Sequence, residues 1–518
     1  MKKVLIFTLV ALIMAFSAFG ATNYLTILHV NDTHGHAWRF SPYGNPDIGG
    51  FSAISTLVDQ IKAEVRQNGG EVLFLHAGDV NTGVPESDQL DAAPDIVALN
   101  MLGLDVFTLG NHEFDKSREV LDKQMALAKF PMISANIYNS KDENPVTPYV
   151  IKDLNGLKVA LYGLTTEETA ILEPIYLGDW RFEDAVKVSE NLIPKLEEEA
   201  DIIVALTHLG YEENDSPGRT TSNELAQAVE GIDVIVDGHS HTLFEEAPVY
   251  GDTILVQAGD WGKYLGRLDL VIVDGKVVSH KWQAIPINFK QGVKDSEGNT
   301  VYVCPDGEIA QDPKVLATMN YFYELGSEKL NEKIGETKIN LDGERNDVRS
   351  KDTNLTNLIA DGMIWKTDAD IALQNGGGVR ASIKPGEISY RDVLTVLPFG
   401  NTTYVMNLTG KEVMDLLEYV VSVPAGKGAF GHFGGLTFVY ENNEIKDVMV
   451  GKESLDLNKT YKFVTNNYVA MGGDGYAVLA KIANGYDTGF VDADVMREYI
   501  IHLGTIEGYD GSQRMVKK

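Results

Sequence analysis

The sequence lacks, or is poor in, several features that are typical of particular classes of protein. Among its 518 residues there is one cysteine, Cys304, so a disulfide within the chain is excluded. Basic residues number 44 against 75 acidic ones, a balance that disfavours binding to nucleic acid polymers or to anionic membranes. Low-complexity tracts and short-period repeats are missing, which argues against disordered and solenoid proteins. A chain of this length instead predicts two or three globular domains.

A long apolar run occurs near the N-terminus, from Val4 to Phe16. It follows two lysines and precedes small residues that end at Gly20, an order typical of a secretory signal peptide over residues 1–20. A membrane anchor is the rival interpretation, but the run is short for a spanning helix. We therefore expect an exported protein, periplasmic or secreted, without a stable membrane anchor. The sequence carries no signal for an oligomeric state.

The rest of the chain predicts two α/β domains joined by a helix. Between residues 21 and 311, short apolar runs alternate with amphipathic stretches, as in a layered α/β domain. Residues 312–334 have a helical composition and begin with an Asp-Pro start signal, so we expect a connecting helix there. Residues 335–518 repeat the alternation more loosely and predict a smaller α/β or α+β domain.

Polar side chains follow five apolar runs of the first domain, at the points where the predicted strands end. Because ligands bind outside the carboxyl ends of strands in open α/β sheets, we expect these side chains to converge on one edge. They combine carboxylates, imidazoles and an amide, and they are too many for one tetrahedral ion. Two divalent ions such as Zn, Mn or Co that share a carboxylate would use them all. The candidate ligands are Asp32, His34, Asp79, Asn111, His208, His239 and His241.

The same segments resemble a known family. Asn-Asp-Thr-His-Gly-His at 31–36, Gly-Asn-His-Glu-Phe-Asp at 110–115 and Gly-His-Ser-His at 238–241 are similar to motifs of the calcineurin-like metallophosphatases in the secreted 5′-nucleotidase family. The resemblance implies a first domain built as a β-sandwich flanked by helices. It also implies two ions bridged by Asp79, one held by Asp32, His34, Asp79 and His241 and the other by Asp79, Asn111, His208 and His239.

The resemblance further implies a catalytic pair and a reaction. His112 would face the scissile phosphate, Asp115 would orient its ring, and a metal-bound hydroxide would attack phosphorus. A histidine held by a carboxylate has a fixed tautomer and a stabilised charged form, which suits protonation of a leaving oxygen. Among the other histidines, His29 and His76 lie within predicted strands and are expected to pack in the core. His36 lies near the site and has no assigned role.

Residues of the second domain predict a nucleotide as substrate. Two arginines beside glycine-rich loops are suited to bind phosphate through charge-assisted contacts, and two aromatic side chains are suited to sandwich a planar base. The resemblance adds contacts to the nucleoside from an asparagine and an aspartate, and Tyr468 stands where some members have phenylalanine. The candidate substrate-binding residues are Arg349, Asn375, Gly377, Arg380, Phe399, Tyr468 and Asp474.

Together these features predict hydrolysis of nucleoside 5′-monophosphates to nucleoside and phosphate, and the resemblance implies catalysis in a cleft between the two domains. UDP-sugars, nucleoside di- and triphosphates, NAD and 2′,3′-cyclic nucleotides are alternative substrates for a similar site. A nucleotide-binding receptor without catalysis is the non-enzymatic alternative. The complete set of candidate ligands argues against it.

Overall fold

The computed structural model describes residues 22–41, 46–172, 176–211, 219–294, 297, 299–305, 307–442, 444–482 and 485–518. The predicted signal peptide over residues 1–20 lies outside them. The described residues divide into one compact unit formed by residues 22–170 and 176–323 and another formed by residues 171–172 and 324–518. None of the helices in the described part of the chain has the length and apolar character needed to cross a membrane.

The first unit consists mainly of buried strands with helices between them. Its strands are β1 (Thr22–Val30), β2 (Glu71–His76), β3 (Val106–Thr108), β4 (Met132–Ile133), β5 (Ile137–Tyr138), β6 (Tyr149–Leu154), β7 (Leu157–Thr165), β8 (Arg181–Phe182), β9 (Ile202–His208), β10 (Val234–Val236), β11 (Val249–Tyr250), β12 (Thr253–Val256), β13 (Tyr264–Val273), β14 (Lys276–Pro286), β15 (Gln291–Lys294) and β16 (Thr300–Val303). Its helices are α1 (Phe51–Gln67), α2 (Pro85–Asp88), α3 (Ala93–Leu102), α4 (Arg118–Leu127), α5 (Thr169–Leu172), α6 (Ala185–Glu199) and α7 (Ser222–Ala228), and α8 (Pro313–Leu330) follows.

Two mixed sheets of this unit pack face to face. One has the strand order β14-β13-β1-β2-β3-β4, and the other has the order β11-β12-β10-β9-β7-β6. Side chains alternate along β1, so that Leu25 and Ile27 enter the core between the sheets, whereas Leu28 and Val30 pack with residues of α1 and α3. The predicted β-sandwich flanked by helices is confirmed.

The strands that precede the candidate metal ligands divide between these sheets. The strands β1, β2 and β3 run parallel in one sheet, and β9 and β10 run parallel in the other. The convergence expected at the edge of one open sheet therefore involves the carboxyl ends of two sheets. A sandwich allows this because loops from both layers leave it at the same end.

The second unit combines strands and helices in a smaller α/β arrangement. Its strands are β17 (Lys333–Thr337), β18 (Ile371–Asn375), β19 (Gly386–Ser389), β20 (Thr402–Thr409), β21 (Gly431–Gly434), β22 (Leu436–Glu441), β23 (Glu444–Val450), β24 (Glu453–Ser454), β25 (Thr460–Asn466), β26 (Tyr486–Val491), β27 (Thr505–Ile506) and β28 (Met515–Lys517). Its helices are α9 (Asn354–Thr367), α10 (Tyr390–Val396), α11 (Gly410–Ser422), α12 (Asn467–Ala470) and α13 (Asp492–Leu503).

The central sheet of the second unit has the order β21-β18-β25-β20-β26. Side chains cap the helices around it, since the hydroxyls of Thr353, Ser389 and Thr409 accept hydrogen bonds from the first turns of α9, α10 and α11. The predicted α/β class of this region is confirmed. Helix α8 covers Pro313–Leu330 of the stretch expected to connect the domains, and Lys333 already begins β17. The domain boundaries at 311 and 334 stay predictions.

Candidate functional site

The loops after β1, β2 and β10 and the last residue of β9 bring candidate metal ligands within a few ångströms of one another. Oδ1 of the fully buried Asp32 lies 3.4 Å from Nε2 of His241. Oδ2 of Asp79 lies 3.8 Å from Nε2 of His34 and 3.0 Å from Nε2 of His208. Asp79 thus contacts histidines from both halves of the predicted pair of sites. Among the described residues, three groups bring their ligand atoms within 4.8 Å of one another. The first cluster is Asp32 with His34 and His241, the second cluster is Asp79 with His208 and His239, and the third group joins His34 and Asp79 to the predicted catalytic residue His112.

The backbone at these residues is in an unusual conformation. A non-glycine residue seldom adopts a positive φ, and holding one there costs of order 1–3 kcal/mol. Such strain is typical of functional sites because the surrounding fold must maintain it. The candidate ligands with positive φ are Asp32 (49°), His34 (46°), Asp79 (60°), His239 (76°) and His241 (54°).

His208 and Asp79 present two hydrogen-bond acceptors to each other. Nδ1 of His208 lies 2.7 Å from the carbonyl oxygen of Ala77, and a carbonyl only accepts, so Nδ1 carries the ring proton. The lone pair of Nε2 then faces Oδ2 of Asp79 at 3.0 Å, and this buried nitrogen has no hydrogen-bond partner among the described residues. Two facing acceptors repel each other unless a proton or a cation lies between them. A divalent metal ion fits this arrangement.

The other candidate ligands repeat this pattern. Nδ1 of His34 faces two backbone carbonyls at 3.0 and 2.9 Å, so its Nε2 lone pair faces Nε2 of His241 at 3.2 Å. Nε2 of His239 lies 3.2 Å from Oε2 of Glu168, and its Nδ1 lies 2.9 Å from Oδ1 of Asn111. When Glu168 accepts the Nε2 proton, the Nδ1 lone pair faces an amide oxygen. The residues present therefore fit metal ions in both clusters.

Burial and neighbouring charges shift the pKa values of these groups. Burial disfavours the charged form of His208, yet Asp79 and Asp32 raise its pKa to about 10, so a proton occupies the position between Nε2 and Oδ2 of Asp79 when no metal ion binds there. Burial also disfavours the charged form of Asp79, yet His208 and His112 hold the pKa of this carboxyl well below its usual range. Asp79 is therefore ionised at neutral pH, as a metal ligand must be.

His112 and Asp115 form a hydrogen-bonded pair beside the clusters. Nδ1 of His112 donates to Oδ2 of Asp115 over 2.8 Å, and the hydroxyl of Thr82 donates to the same oxygen. The backbone N–H of His112 donates to Oδ1 of Asp79 over 2.9 Å, and its ring centroid lies 5.1 Å from that of His34. The structure thus places both predicted catalytic residues next to the candidate ligands, with the histidine ring oriented by a carboxylate.

Glu113 is a residue of the site that sequence reasoning did not single out. Its buried carboxylate accepts hydrogen bonds from the backbone N–H groups of Asp79, Val80 and Gly110 over 2.9, 2.9 and 2.7 Å. It therefore ties the loop after β2 to the loop after β3. Burial, together with the charge of Asp79, raises the pKa of Glu113 to about 7. Its position inside the Gly-Asn-His-Glu-Phe-Asp motif was the signal that could have identified it.

Glu168 also belongs to the site and lies outside every motif. Oε2 of Glu168 lies 3.2 Å from Nε2 of His239 and accepts a hydrogen bond from Nη1 of Arg219 over 2.6 Å. Metal-ligating histidines commonly donate their second ring N–H to a carboxylate, which fixes the tautomer and the orientation of the ring. No local pattern identifies this residue, because its contact to His239 is made only by the folded chain.

The remaining histidines near the motifs have packing roles. His29 and His76 are fully buried and stack on neighbouring aromatic rings, so the expectation that they pack in the core is confirmed. His36 stacks on the ring of Trp261 with centroids 4.6 Å apart and planes 8° from parallel. This contact supports the loop after β1, which carries two candidate ligands.

In the second unit, three arginines are near one another. Burial and the neighbouring charges of Arg345 and Arg380 lower the pKa of Arg349, while Asp474 opposes this effect. Like charges held together favour an anion as ligand. The guanidinium of Arg380 lies over the ring of Phe399, 5.5 Å from its centroid. Arg345 was not predicted, and the signal that could have identified it is a second arginine four residues before Arg349.

The other predicted substrate residues surround Asp474. Nδ2 of Asn375 donates to Oδ2 of Asp474 over 2.7 Å, and the hydroxyl of Tyr468 donates to Oδ1 over 3.3 Å. Gly377 packs directly on another glycine backbone, where a side chain would be crowded. The rings of Phe399 and Tyr468 are 57% and 48% exposed, as a stacking surface requires. A clamp of both rings on one base stays a prediction.

Known proteins share both units of this chain. Residues 25–243 match the family described as calcineurin-like phosphoesterase, and residues 333–481 match the 5′-nucleotidase C-terminal domain. A 5′-nucleotidase of Vibrio vulnificus strain CMCP6 is 40% identical over 509 residues, which cover 93% of this chain and 91% of that protein. Protein UshA of Escherichia coli strain K12 is 39% identical over 504 residues, which cover 92% and 91%.

A solved structure gives the same result for the fold. The NAD nucleotidase of Haemophilus influenzae has a TM-score of 0.75 and 27% sequence identity, over 96% of this chain and 100% of that chain. Because the relatives of known name extend over nearly the whole chain, both units are included in the match. The chain belongs to the 5′-nucleotidase family, in which a calcineurin-like phosphoesterase domain precedes a 5′-nucleotidase C-terminal domain.

Proposed function

We propose that this hydrolase cleaves nucleoside 5′-monophosphates to nucleoside and phosphate with the help of two divalent metal ions. The observation that carries the proposal is the set of facing acceptor atoms at the ends of β1, β2, β9 and β10, above all Nε2 of His208 and Oδ2 of Asp79 at 3.0 Å. Relatives named 5′-nucleotidase support the substrate class. The N-terminal sequence supports export to the periplasm or the medium.

The metal ions would be held by the side chains whose lone pairs face one another. A mixed set of oxygen and nitrogen donors suits Zn, Mn or Co. When bound, such a pair lowers the pKa of water and stabilises negative charge on phosphoryl oxygens. One ion would be held by Asp32, His34, Asp79 and His241, and the other by Asp79, Asn111, His208 and His239.

His112 would act on the phosphoryl group. Its Nδ1 proton is held by Asp115 over 2.8 Å, so we assign Nε2 to the contact with the phosphate or with the leaving 5′-oxygen of the nucleoside. In its charged form the ring would offset negative charge and supply a proton to that oxygen. Asp115 stabilises this form and prevents the ring from turning.

The second unit would recognise the nucleotide. Arg349 and Arg380 would bind phosphate oxygens, which their crowded positive charges favour. Phe399 and Tyr468 would stack on the base, with about 1–3 kcal/mol per base and little preference for its identity. The nucleoside hydroxyls would donate to Asp474, which lies beside Asn375.

The test is a substrate panel run on the full chain with its bound metals measured on the same preparation. AMP, ADP, ATP, UDP-glucose, NAD and 2′,3′-cyclic AMP would each be supplied with Mn, Co or Zn, and products would be separated by chromatography. We expect AMP to have the highest kcat/KM and the His112→Ala variant to bind metal normally but to lose activity. Metal-replete protein that hydrolyses none of these compounds would contradict the proposal. A preference for UDP-glucose would mean that the metal site is as proposed but that the main substrate is a UDP-sugar.

A further inference from the structure

Tyr468 and Asp474 are joined by two hydrogen bonds in the second unit. The hydroxyl of Tyr468 accepts a hydrogen bond from the backbone N–H of Asp474 over 3.1 Å and donates one to its Oδ1 over 3.3 Å. One hydroxyl thus holds both the main chain and the carboxylate of the same residue. A phenylalanine at this position would keep the aromatic ring and lose both bonds.

The turn around Asp474 needs such support. Asp474 has φ 55° and ψ 14°, a left-handed conformation that disfavours residues with side chains. The hydroxyl of Tyr419 donates to the carbonyl of Asp474 over 2.5 Å, and a Cβ on Gly473 would come within 2.6 Å of the Tyr468 ring. The ring of Tyr468 therefore packs directly on the turn that its hydroxyl bonds.

The carboxylate of Asp474 is held at both oxygens and remains accessible. Tyr468 donates to Oδ1, and Nδ2 of Asn375 donates to Oδ2 over 2.7 Å, while Asn466 in turn donates to Oδ1 of Asn375 over 3.0 Å. Asp474 is partly exposed and lines a cavity of about 370 Å³ together with Tyr419. Each carboxylate oxygen has further lone pairs, so both can accept hydrogen bonds from a ligand.

We propose that the Tyr468 hydroxyl is a positioning group through which the enzyme selects ribonucleotides over nucleotides that lack the sugar hydroxyls. It fixes the Asp474 carboxylate in the orientation that accepts hydrogen bonds from a vicinal diol. Two neighbouring hydroxyl donors require both acceptors at set positions, and a carboxylate that rotates loses part of this binding. The inference rests on the proposed function, because it takes a nucleotide as the ligand of Asp474.

The decisive variant is Tyr468→Phe, assayed with AMP and with 2′,3′-dideoxy-AMP. Since a typical intramolecular hydrogen bond is worth about 3- to 10-fold in an equilibrium constant, we expect the KM for AMP to rise by that factor. The kcat for AMP and the KM for the dideoxynucleotide should change less than about 2-fold, because stacking on the ring persists. In an Asp474→Ala background, the same substitution should change neither KM, because the group through which it acts is gone.

A matched control is Tyr499→Phe, which removes a tyrosine hydroxyl elsewhere in the same unit, where it bonds to Tyr509. Its KM ratio between the two substrates should equal that of the unaltered protein. An unchanged ratio in Tyr468→Phe, or an equal rise in both KM values, would overturn the inference. Isothermal titration with adenosine and 2′,3′-dideoxyadenosine separates this from failure of the proposed function: if the unaltered protein binds neither nucleoside and hydrolyses neither nucleotide, the proposed function itself is wrong.

Discussion

Nε2 of His208 lies 3.0 Å from Oδ2 of Asp79 although Nδ1 of the same ring already donates to the carbonyl of Ala77. The fold thus holds two buried acceptor atoms close together. Asp79 also has a left-handed backbone conformation, with φ 60°. Such an arrangement is unfavourable unless a proton or a metal ion lies between the two atoms, and a metal ion that binds there takes the place of the proton. The metal site and the stability of the sandwich are therefore linked.

We expect metal binding to stabilise the protein. At a free metal concentration of 100 times Kd, a single site adds about 2.7 kcal/mol to the free energy of unfolding. Protein stripped by a chelator and titrated with Mn or Zn should therefore show a Tm that rises with metal concentration. Ca²⁺ at equal ionic strength is the control, because this donor set favours transition metals. A Tm that does not change when Mn or Zn is added would contradict the metal assignment.

Asp79→Ala should remove more metal and more activity than His241→Ala. Asp79 approaches histidines of both clusters, at 3.8 Å from His34 and 3.0 Å from His208, whereas His241 approaches the first cluster alone. Metal analysis should find fewer ions per chain in Asp79→Ala than in His241→Ala. Mild and equal losses of kcat/KM in the two variants would argue against a bridging carboxylate.

His241 should influence which metal the site prefers. Its ring lies at the surface of the cluster, with a side chain 39% exposed, so a smaller side chain can replace it without disturbing the core. His241→Asn exchanges an imidazole for an amide oxygen, and oxygen donors shift preference from Zn towards Mn. Isothermal titration should show a larger loss of affinity for Zn than for Mn. Equal losses for both ions would show that position 241 does not set the preference.

Glu113→Gln should destabilise the fold. The carboxylate accepts hydrogen bonds from the backbone of Asp79, Val80 and Gly110, and an amide would present N–H groups to some of these donors. Leaving buried donors unpaired lowers the free energy of unfolding by about 1–3 kcal/mol each. Denaturant unfolding measures the loss, and Glu119→Gln is the control because Glu119 is exposed on α4. Equal stability of the two variants would contradict the role of Glu113.

The sequence predicted the sandwich and the candidate ligands because both depend on local patterns. Along β1, the apolar side chains alternate between two cores. Polar residues such as Asp32 and Asp79 follow within a few positions of the ends of β1 and β2. The direction of parallel strands then brings these ends together. The prediction was wrong only in placing all of these strands in one sheet, because the apolar pattern of a strand does not show which of the two sheets it joins.

The supporting residues could not be predicted in this way. Glu168 contacts His239 across 71 residues of sequence, and its neighbour Arg219 is 51 residues from it. The two bonds of the Tyr468 hydroxyl depend on the left-handed turn at Asp474, a conformation that aspartate tolerates but that its sequence position does not predict. These contacts orient groups that the motifs identify, and they exist only after the chain has folded.

Glu168→Gln should weaken metal binding by the second cluster. Glu168 accepts the Nε2 proton of His239, which directs the Nδ1 lone pair towards Asn111. Loss of such a partner lowers metal affinity about 10- to 100-fold. Competition with a coloured chelator should show one weakened site and one unchanged site per chain. If both affinities equal those of the unaltered protein, Glu168 does not orient the ring.

We expect the free energy of unfolding to depend on pH through Asp492. This residue is buried at the start of α13 and accepts a hydrogen bond from the N–H of Ala493 over 2.7 Å. Burial raises the pKa of Asp492 from 3.8 to about 8. The folded state therefore binds this proton more tightly than the unfolded chain does. The stability that it contributes is complete below about pH 4 and is lost as the pH rises through 8.

Asp492→Asn keeps the acceptor oxygen and removes the titration. Its Tm should therefore decline less than that of the unaltered protein between about pH 5 and pH 9, because the proton that the folded state must release is no longer there. Calorimetry on metal-replete protein measures both curves, and Asp494→Asn on the same helix controls for the change of charge. Parallel curves for the unaltered protein and Asp492→Asn would mean that this carboxyl is already ionised in the folded state.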